Sequence, residues 1–205
     1  MILLVCAVAQ EFEWLGPRAG VETLVCGIGP VDAAARVARA LAAKSYDVVV
    51  SAGIAGAFPG VALVGDGVVV GEELYPLQQE TGAPLALPPG SFVADRVPAD
   101  AQLIEAVTSL GFALVRGITV SHVTSTDATA QRLHSRGAEI ESMEGFAVLR
   151  AAQLAGVPAI ELRGISNIVG DRDAGQWDFD AGLRGLRRVL NATLDLLHTI
   201  PSNAD

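Results

Sequence analysis

The chain has 205 residues, 51% of them hydrophobic and only 18% charged, a balance that suits one packed core and argues against disorder. Its formal net charge of −9 repels phosphate backbones, which argues against a nucleic-acid partner. No apolar run approaches the ~18 residues that span a bilayer, so no membrane partner is expected.

The first run, Met1-Ile2-Leu3-Leu4-Val5-Cys6-Ala7-Val8, has no positively charged segment ahead of it. It reads as a buried first strand and not as a signal peptide, and a cytoplasmic location follows. Cys6 and Cys26 both lie in apolar, strand-like runs and read as structural thiols of a reducing compartment. Glu11 and Glu13 stand in the turn after the first strand. Gly27-Ile28-Gly29 follows the next apolar run, but Asp32 stands where a dinucleotide fingerprint needs its third glycine. A tight strand-to-helix turn is the simpler reading, with Asp32 near the helix N-terminus.

Further along, Val/Ile-rich runs at 2–8, 47–51, 67–71, 117–121 and 158–163 suggest strands buried on both faces. Ala/Leu-rich stretches with helical spacing lie between or after them: Asp32 to Ala43, Ala101 to Leu110, Met143 to Ala155 and Ala181 to Thr199. This alternation predicts an α/β fold in one domain, 1–205, with a mostly parallel or mixed sheet flanked by helices. Antiparallel pieces are expected around 61–75, where Gly60, Gly65 and Gly67 punctuate short strands. Tyr75 to Val97, rich in Pro, Gly and Ala, reads as a long loop, and the tail Pro201 to Asp205 is expected to fray.

Three motifs carry possible chemistry. Asp47 to Gly56 is a strand running into Ala52-Gly53-Ile54-Ala55-Gly56, where glycine allows a ligand close to the backbone, or simply a packing turn. Ile140-Glu141-Ser142-Met143-Glu144-Gly145 places two carboxylates at the head of an apolar helix, as site residues or as caps. Arg163-Gly164-Ile165-Ser166-Asn167 sets polar side chains at a strand's carboxyl end, where open α/β sheets bind ligands. The loop Gly170 to Trp177 follows, polar until its aromatic end.

The order of these pieces resembles the bacterial methylthioadenosine/adenosylhomocysteine nucleosidases and their nucleoside phosphorylase relatives. It runs through Glu11, Ala52 to Gly56, Gly65-Asp66-Gly67-Val68-Val69, Val115 to Ser121, Met143-Glu144 and Ile165-Ser166-Asn167. Within that superfamily, Glu-Ser-Met-Glu-Gly followed by Ile-Ser-Asn-Ile-Val-Gly-Asp-Arg-Asp is most similar to the futalosine hydrolases of an alternative menaquinone pathway. The resemblance implies a three-layer nucleoside phosphorylase-like fold, a purine nucleoside substrate, no cofactor or metal, and a homodimer or larger homo-oligomer.

By resemblance, Glu11 activates the attacking water, with Glu13 as the nearby alternative. Glu144 accepts hydrogen bonds from the ribose hydroxyls and favours an oxocarbenium-like sugar. Met143 lies along the sugar through its backbone, and Ala55 and Gly56 border the base and ribose beside Ser166. Ser125 and Thr126 meet the base through main-chain groups. Trp177 stands over the 5′ side, and Arg172 meets a substrate carboxylate there. Asn167 departs from the adenine-specific relatives, which carry Asp. A carboxylate offers two acceptors, matching the N7–H and amine of adenine. An amide offers one acceptor and one donor, matching the N7–H and O6 of hypoxanthine. The implied reaction is hydrolysis of futalosine with release of hypoxanthine. Its rivals are methylthioadenosine/adenosylhomocysteine or aminodeoxyfutalosine cleavage, phosphorolysis, and non-catalytic nucleoside binding. Phosphorolysis needs a cationic cradle, and the first forty residues hold only Arg18, Arg36 and Arg39.

Overall fold

The computed structural model describes residues 1–79, 82–171 and 177–199. The described strands are β1 (Ile2–Cys6), β2 (Val21–Val25), β3 (Val48–Ala57), β4 (Gly67–Leu74), β5 (Arg96–Pro98), β6 (Ala113–Thr119), β7 (Ile140–Ser142) and β8 (Ala159–Ile168). The helices are α1 (Pro30–Ala43), α2 (Ala101–Thr108), α3 (Asp127–His134), α4 (Gly145–Leu154) and α5 (Phe179–Thr199). Two single 3-10 turns, Ala9–Glu11 and Glu13–Leu15, connect β1 to β2.

The sheet is mixed. β2, β1, β3 and β8 run parallel in that order, and β4 joins β8 antiparallel. β6 runs parallel to β4, and β7 parallel to β6. β7 then returns to β3, pairing antiparallel at Gly56 and Ala57. The sheet therefore closes on itself through β3, β8, β4, β6 and β7. Register shifts at Ala55/Gly56 and Val70/Glu72 leave one extra residue each, Ser166 in β8 and Gly71 in β4, and mark where those strands bend, since an extra residue increases local twist.

Alternate side chains explain the continuous apolar runs. Leu3 and Val49 face α1 and α4, packing with Val37, Val148 and Ala152. Leu4 and Val50 face α5 and α2, packing with Leu186, Leu190 and Leu103. A strand covered on both faces has no place for polar alternation. α5 sits directly on the sheet: a Cβ at Gly164 would lie 1.9 Å from the Gly182 carbonyl oxygen and 2.5 Å from the Leu186 nitrogen.

The structure differs from the sequence reading at three places. β8 continues past Arg163 to Ile168, so the polar Arg163, Ser166 and Asn167 are strand residues. The helix expected from Met143 begins at Gly145, because the three-residue β7 precedes it. α3 was not foreseen: it is polar, and only Ala130 and Leu133 are buried. The tail 201–205 lies outside the described residues.

Candidate active site

β1 ends at Cys6, and the 3-10 turn that follows folds Glu11 back over the strand end. Its Oε2 accepts from the backbone N–H of Ala7 at 3.0 Å and of Val8 at 3.3 Å, and its Oε1 accepts from Ile54 N–H at 3.0 Å. Glu11 is buried, whereas Glu13 is exposed and turned toward a surface groove with Phe12 and Leu15. Burial pushes the Glu11 carboxyl above the usual carboxylate range, against the opposing pull of the Arg163 charge and the backbone donors.

Glu144 occupies the N-cap position of α4 but does not cap its own helix. Its Oε1 accepts from the backbone N–H of Gly29 at 2.8 Å. The Gly27-Ile28-Gly29 turn thus presents its N–H to a carboxylate of this chain. The first N–H groups of α4 find other acceptors: Gly145 N–H donates to Ser142 Oγ at 3.3 Å, and Phe146 N–H to Thr119 Oγ1 at 2.7 Å.

Asn167 lies at the bulge where β8 meets β3, and a Cβ at Gly56 would stand 2.9 Å from its Nδ2. The Ser166 hydroxyl lies 3.0 Å from Asn167 Oδ1, and Nδ2 has no hydrogen-bond partner among the described residues.

Glu11, Glu144, Ser166 and Asn167 all line one cavity of about 270 Å³, with Ala55, Gly56 and Met143 in its wall. Trp177 and Phe179 also line it while 41% and 49% exposed, which puts them at its mouth. Their rings meet edge to face with centroids 5.1 Å apart. Among the described lining residues there is no Lys or Arg. The groove beside Glu13 is larger, about 480 Å³, but no buried polar groups converge in it.

Two expected base contacts fall elsewhere. Ser125 and Thr126 are exposed and do not line the cavity. Thr126 is spent as the N-cap of α3, its side chain accepting from Thr129 N–H at 3.2 Å. Val120 and Val123 line the cavity from that connection instead. Arg172 lies outside the described residues. The sequence reading missed Phe179, although its spacing of two from Trp177 was a usable signal. It also passed over the buried trio Glu73, Glu161 and Arg163. Cys6 and Cys26 are buried free thiols. Burial raises both, Cys26 to about 12, so neither is a thiolate at neutral pH.

A family model described as the phosphorylase superfamily matches residues 19–200. The futalosine hydrolase of Acidothermus cellulolyticus is 39% identical, covering 83% of this chain and 74% of that protein. The futalosine hydrolase of Streptomyces coelicolor is also 39% identical, covering 88% of this chain and 81% of that one. The chain belongs to the futalosine hydrolase family of the phosphorylase superfamily. Among solved structures, the Streptococcus pyogenes S-adenosylhomocysteine nucleosidase superposes with a TM-score of 0.83 at 19% identity, covering 96% of each chain. At that identity the likeness speaks for the fold that this futalosine hydrolase family member shares with the nucleosidases. Among its described residues, no helix is long and apolar enough to cross a membrane.

Proposed function

We infer that the chain hydrolyses the N-glycosidic bond of futalosine and releases hypoxanthine, in the cytoplasm and in the alternative menaquinone pathway that the family resemblance implies. One observation carries the reading: the buried carboxylates Glu11 and Glu144 and the buried amide of Asn167 converge on a single cavity, which the buried Glu141 also lines. Glu11 is tied to β3 at Ile54, and Asn167 meets β3 at Gly56. Two residues of extended strand separate them by roughly 6.6 Å. That gap suits a sugar, with water on the Glu11 side and the purine on the Asn167 side.

In this reading Glu11 takes a proton from water as its oxygen bonds to C1′. The C1′–N9 bond breaks, and its electron pair leaves with the purine. Solvent supplies the proton that reaches N7, because an amide cannot. Glu144 keeps Oε2 for the ribose hydroxyls and stabilises the cationic sugar, since its Oε1 is held by Gly29. The backbone of Met143 borders the sugar. Asn167 reads the 6-position: with Oδ1 beside the Ser166 hydroxyl, Nδ2 is the group left to donate to O6.

Water is favoured over phosphate as nucleophile by two features. The Gly29 N–H already has its acceptor, and the described cavity lining carries no cation. Trp177 and Phe179 offer an aromatic surface for the aryl group at the 5′ end of futalosine, and Arg172 is assigned to its carboxylate from the sequence alone. We assign the apolar strip of Val31 and Leu154, 79% and 72% exposed beside Ile28 at the cavity rim, to a second copy in a homodimer. Sedimentation of the wild type against Leu154→Glu tests that assignment, and a monomeric wild type would overturn it.

The decisive assay offers futalosine, aminodeoxyfutalosine, inosine and methylthioadenosine separately, without phosphate, and identifies the released base by chromatography. Hypoxanthine from futalosine is the expected main product. Faster adenine release from methylthioadenosine would favour the adenine-type reading instead.

A further inference from the structure

The proposed chemistry leaves one buried cluster unused. Inside the closed part of the sheet lie Glu73 of β4, Thr119 of β6, and Glu161 and Arg163 of β8, none more than 2% exposed. Arg163 Nε donates to Glu161 Oε1 at 2.7 Å. Thr119 Oγ1 donates to Glu73 Oε2 at 2.7 Å and accepts from Phe146 N–H, two residues from Glu144. The charges of the two carboxyl groups act on each other. Glu73 Oε1 and Glu161 Oε2 have no donor among the described residues.

Two carboxylates in contact cannot both ionise in such a place, and one proton between them satisfies both orphan oxygens. Burial and the neighbouring Glu161 push Glu73 well up; burial raises Glu161 as well, but there the Arg163 ion pair pulls the other way. The proton therefore resides on Glu73. Glycines make the room: a Cβ at Gly145 would lie 2.4 and 2.5 Å from the two Glu161 oxygens, and one at Gly117 only 1.8 Å from Glu73 Oε1.

The other end of Arg163 lies behind the cavity wall, toward Glu11. A Cβ at Gly53 would stand 2.3 Å from Arg163 Nη1 and 2.7 Å from Glu11 Oε1, so cation and carboxylate face each other across this glycine. Nη2 has no hydrogen-bond partner among the described residues, and Glu144 also acts on the guanidinium. An unrestrained cation here would pair with Glu11 and occupy the lone pairs that must take the proton from water. We propose that Glu161 is a positioning residue for the hydrolysis: through Nε it holds Arg163 back from Glu11 and Glu144, with Glu73 packed behind it.

The inference rests on Glu11 as the base, so Glu11→Gln is assayed alongside. The other titratable groups packed here, Cys6, Cys26 and Glu144, are accounted for. Both thiols are raised too far to titrate in the acid range, and Glu144 is common to every variant. The experiment measures kcat and KM for futalosine against pH with the full chain. Glu161→Gln keeps the acceptor for Nε but removes the charge that offsets Arg163. The Glu11 carboxylate then gains net positive potential. Its acid limb should move to lower pH by about one unit, and kcat should fall about ten-fold with KM changed less than about two-fold. Glu73→Gln replaces the acid O–H by an amide donor, so its acid limb should stay in place and its kcat within about three-fold of wild type. An unmoved acid limb in Glu161→Gln overturns the proposal. So does a Glu73→Gln variant whose kcat falls about ten-fold or more, and this arm stands alone if Glu161→Gln does not fold. If Glu11→Gln itself turns over freely, the base assignment fails. A dead Glu11→Gln with an unmoved limb in Glu161→Gln sinks the positioning role by itself.

Discussion

Glu144 and Gly29, 115 residues apart in the chain, are joined by a 2.8 Å hydrogen bond from the Gly29 backbone N–H to the Glu144 carboxylate. This contact places the carboxylate proposed to bind the sugar against the glycine turn that opens α1. It also fills an N–H that an incoming anion would otherwise claim.

The first prediction follows from that contact. Millimolar phosphate should neither accelerate the cleavage of futalosine nor yield a sugar phosphate, as followed by phosphorus NMR. Glu144→Ala should lower kcat on futalosine about a hundred-fold while leaving the affinity for free hypoxanthine nearly unchanged. Equal losses in turnover and base affinity would make Glu144 a structural residue.

Glu11 governs the pH dependence. A general base works in its ionised form, and burial raises the Glu11 carboxyl above the ordinary range. Activity should therefore be lost, as pH falls, at a higher pH than an unperturbed glutamate would give. Glu11→Gln should bind substrate but lose nearly all turnover. The linkage has a second consequence. A carboxyl whose pKa is higher folded than unfolded costs stability once the pH exceeds the folded value. Wild type should accordingly lose Tm relative to Glu11→Gln as the pH rises from the acid range to neutral, and a difference that does not change with pH would contradict the buried-carboxylate account.

In the proposed reading, Asn167 sets the choice of base. Asn167→Asp turns a donor–acceptor pair into two acceptors at nearly constant volume. Opposite hypoxanthine the new oxygen confronts O6, whereas opposite adenine it meets an amine. A buried polar group left unpaired costs roughly 1–3 kcal/mol, so the ratio of kcat/KM for futalosine over aminodeoxyfutalosine should drop by about ten- to a hundred-fold. The two bases are followed separately with both proteins. A wild type that releases adenine as readily as hypoxanthine, or a mutant whose ratio does not move, rules the role out.

Gly164 tests how the site is supported. A methyl group there would press on the Gly182 carbonyl and the Leu186 nitrogen, both backbone atoms of α5. Backbone cannot rotate aside as a side chain can. Gly164→Ala should destabilise the protein by about 1–3 kcal/mol or more in urea unfolding. A loss below about 0.5 kcal/mol would show that α5 shifts freely.

The strand–helix alternation and the doubly buried strands were legible in the residues themselves, because apolar periodicity records which faces of a segment are covered. So was the donor–acceptor pattern of Asn167, which belongs to its side chain wherever that chain lies. The candidate residues came from the order of motifs, and most of them line one cavity in the structure. Only the tertiary structure decided how they are held. β7 has three residues, too few to show a period, yet it closes the sheet onto β3. Ser125 and Thr126 looked available for the base, but the cavity is lined from that connection by Val120 and Val123. Arg163 read as the polar end of a strand, and it proved to be a buried cation sharing its surroundings with Glu11, Glu144 and Glu161. Glu144 read as a ribose-binding carboxylate or a helix cap, and its partner is the backbone of Gly29, 115 residues away. Each of these depends on contacts between segments distant in sequence, and a local pattern of residue types carries no record of such pairings.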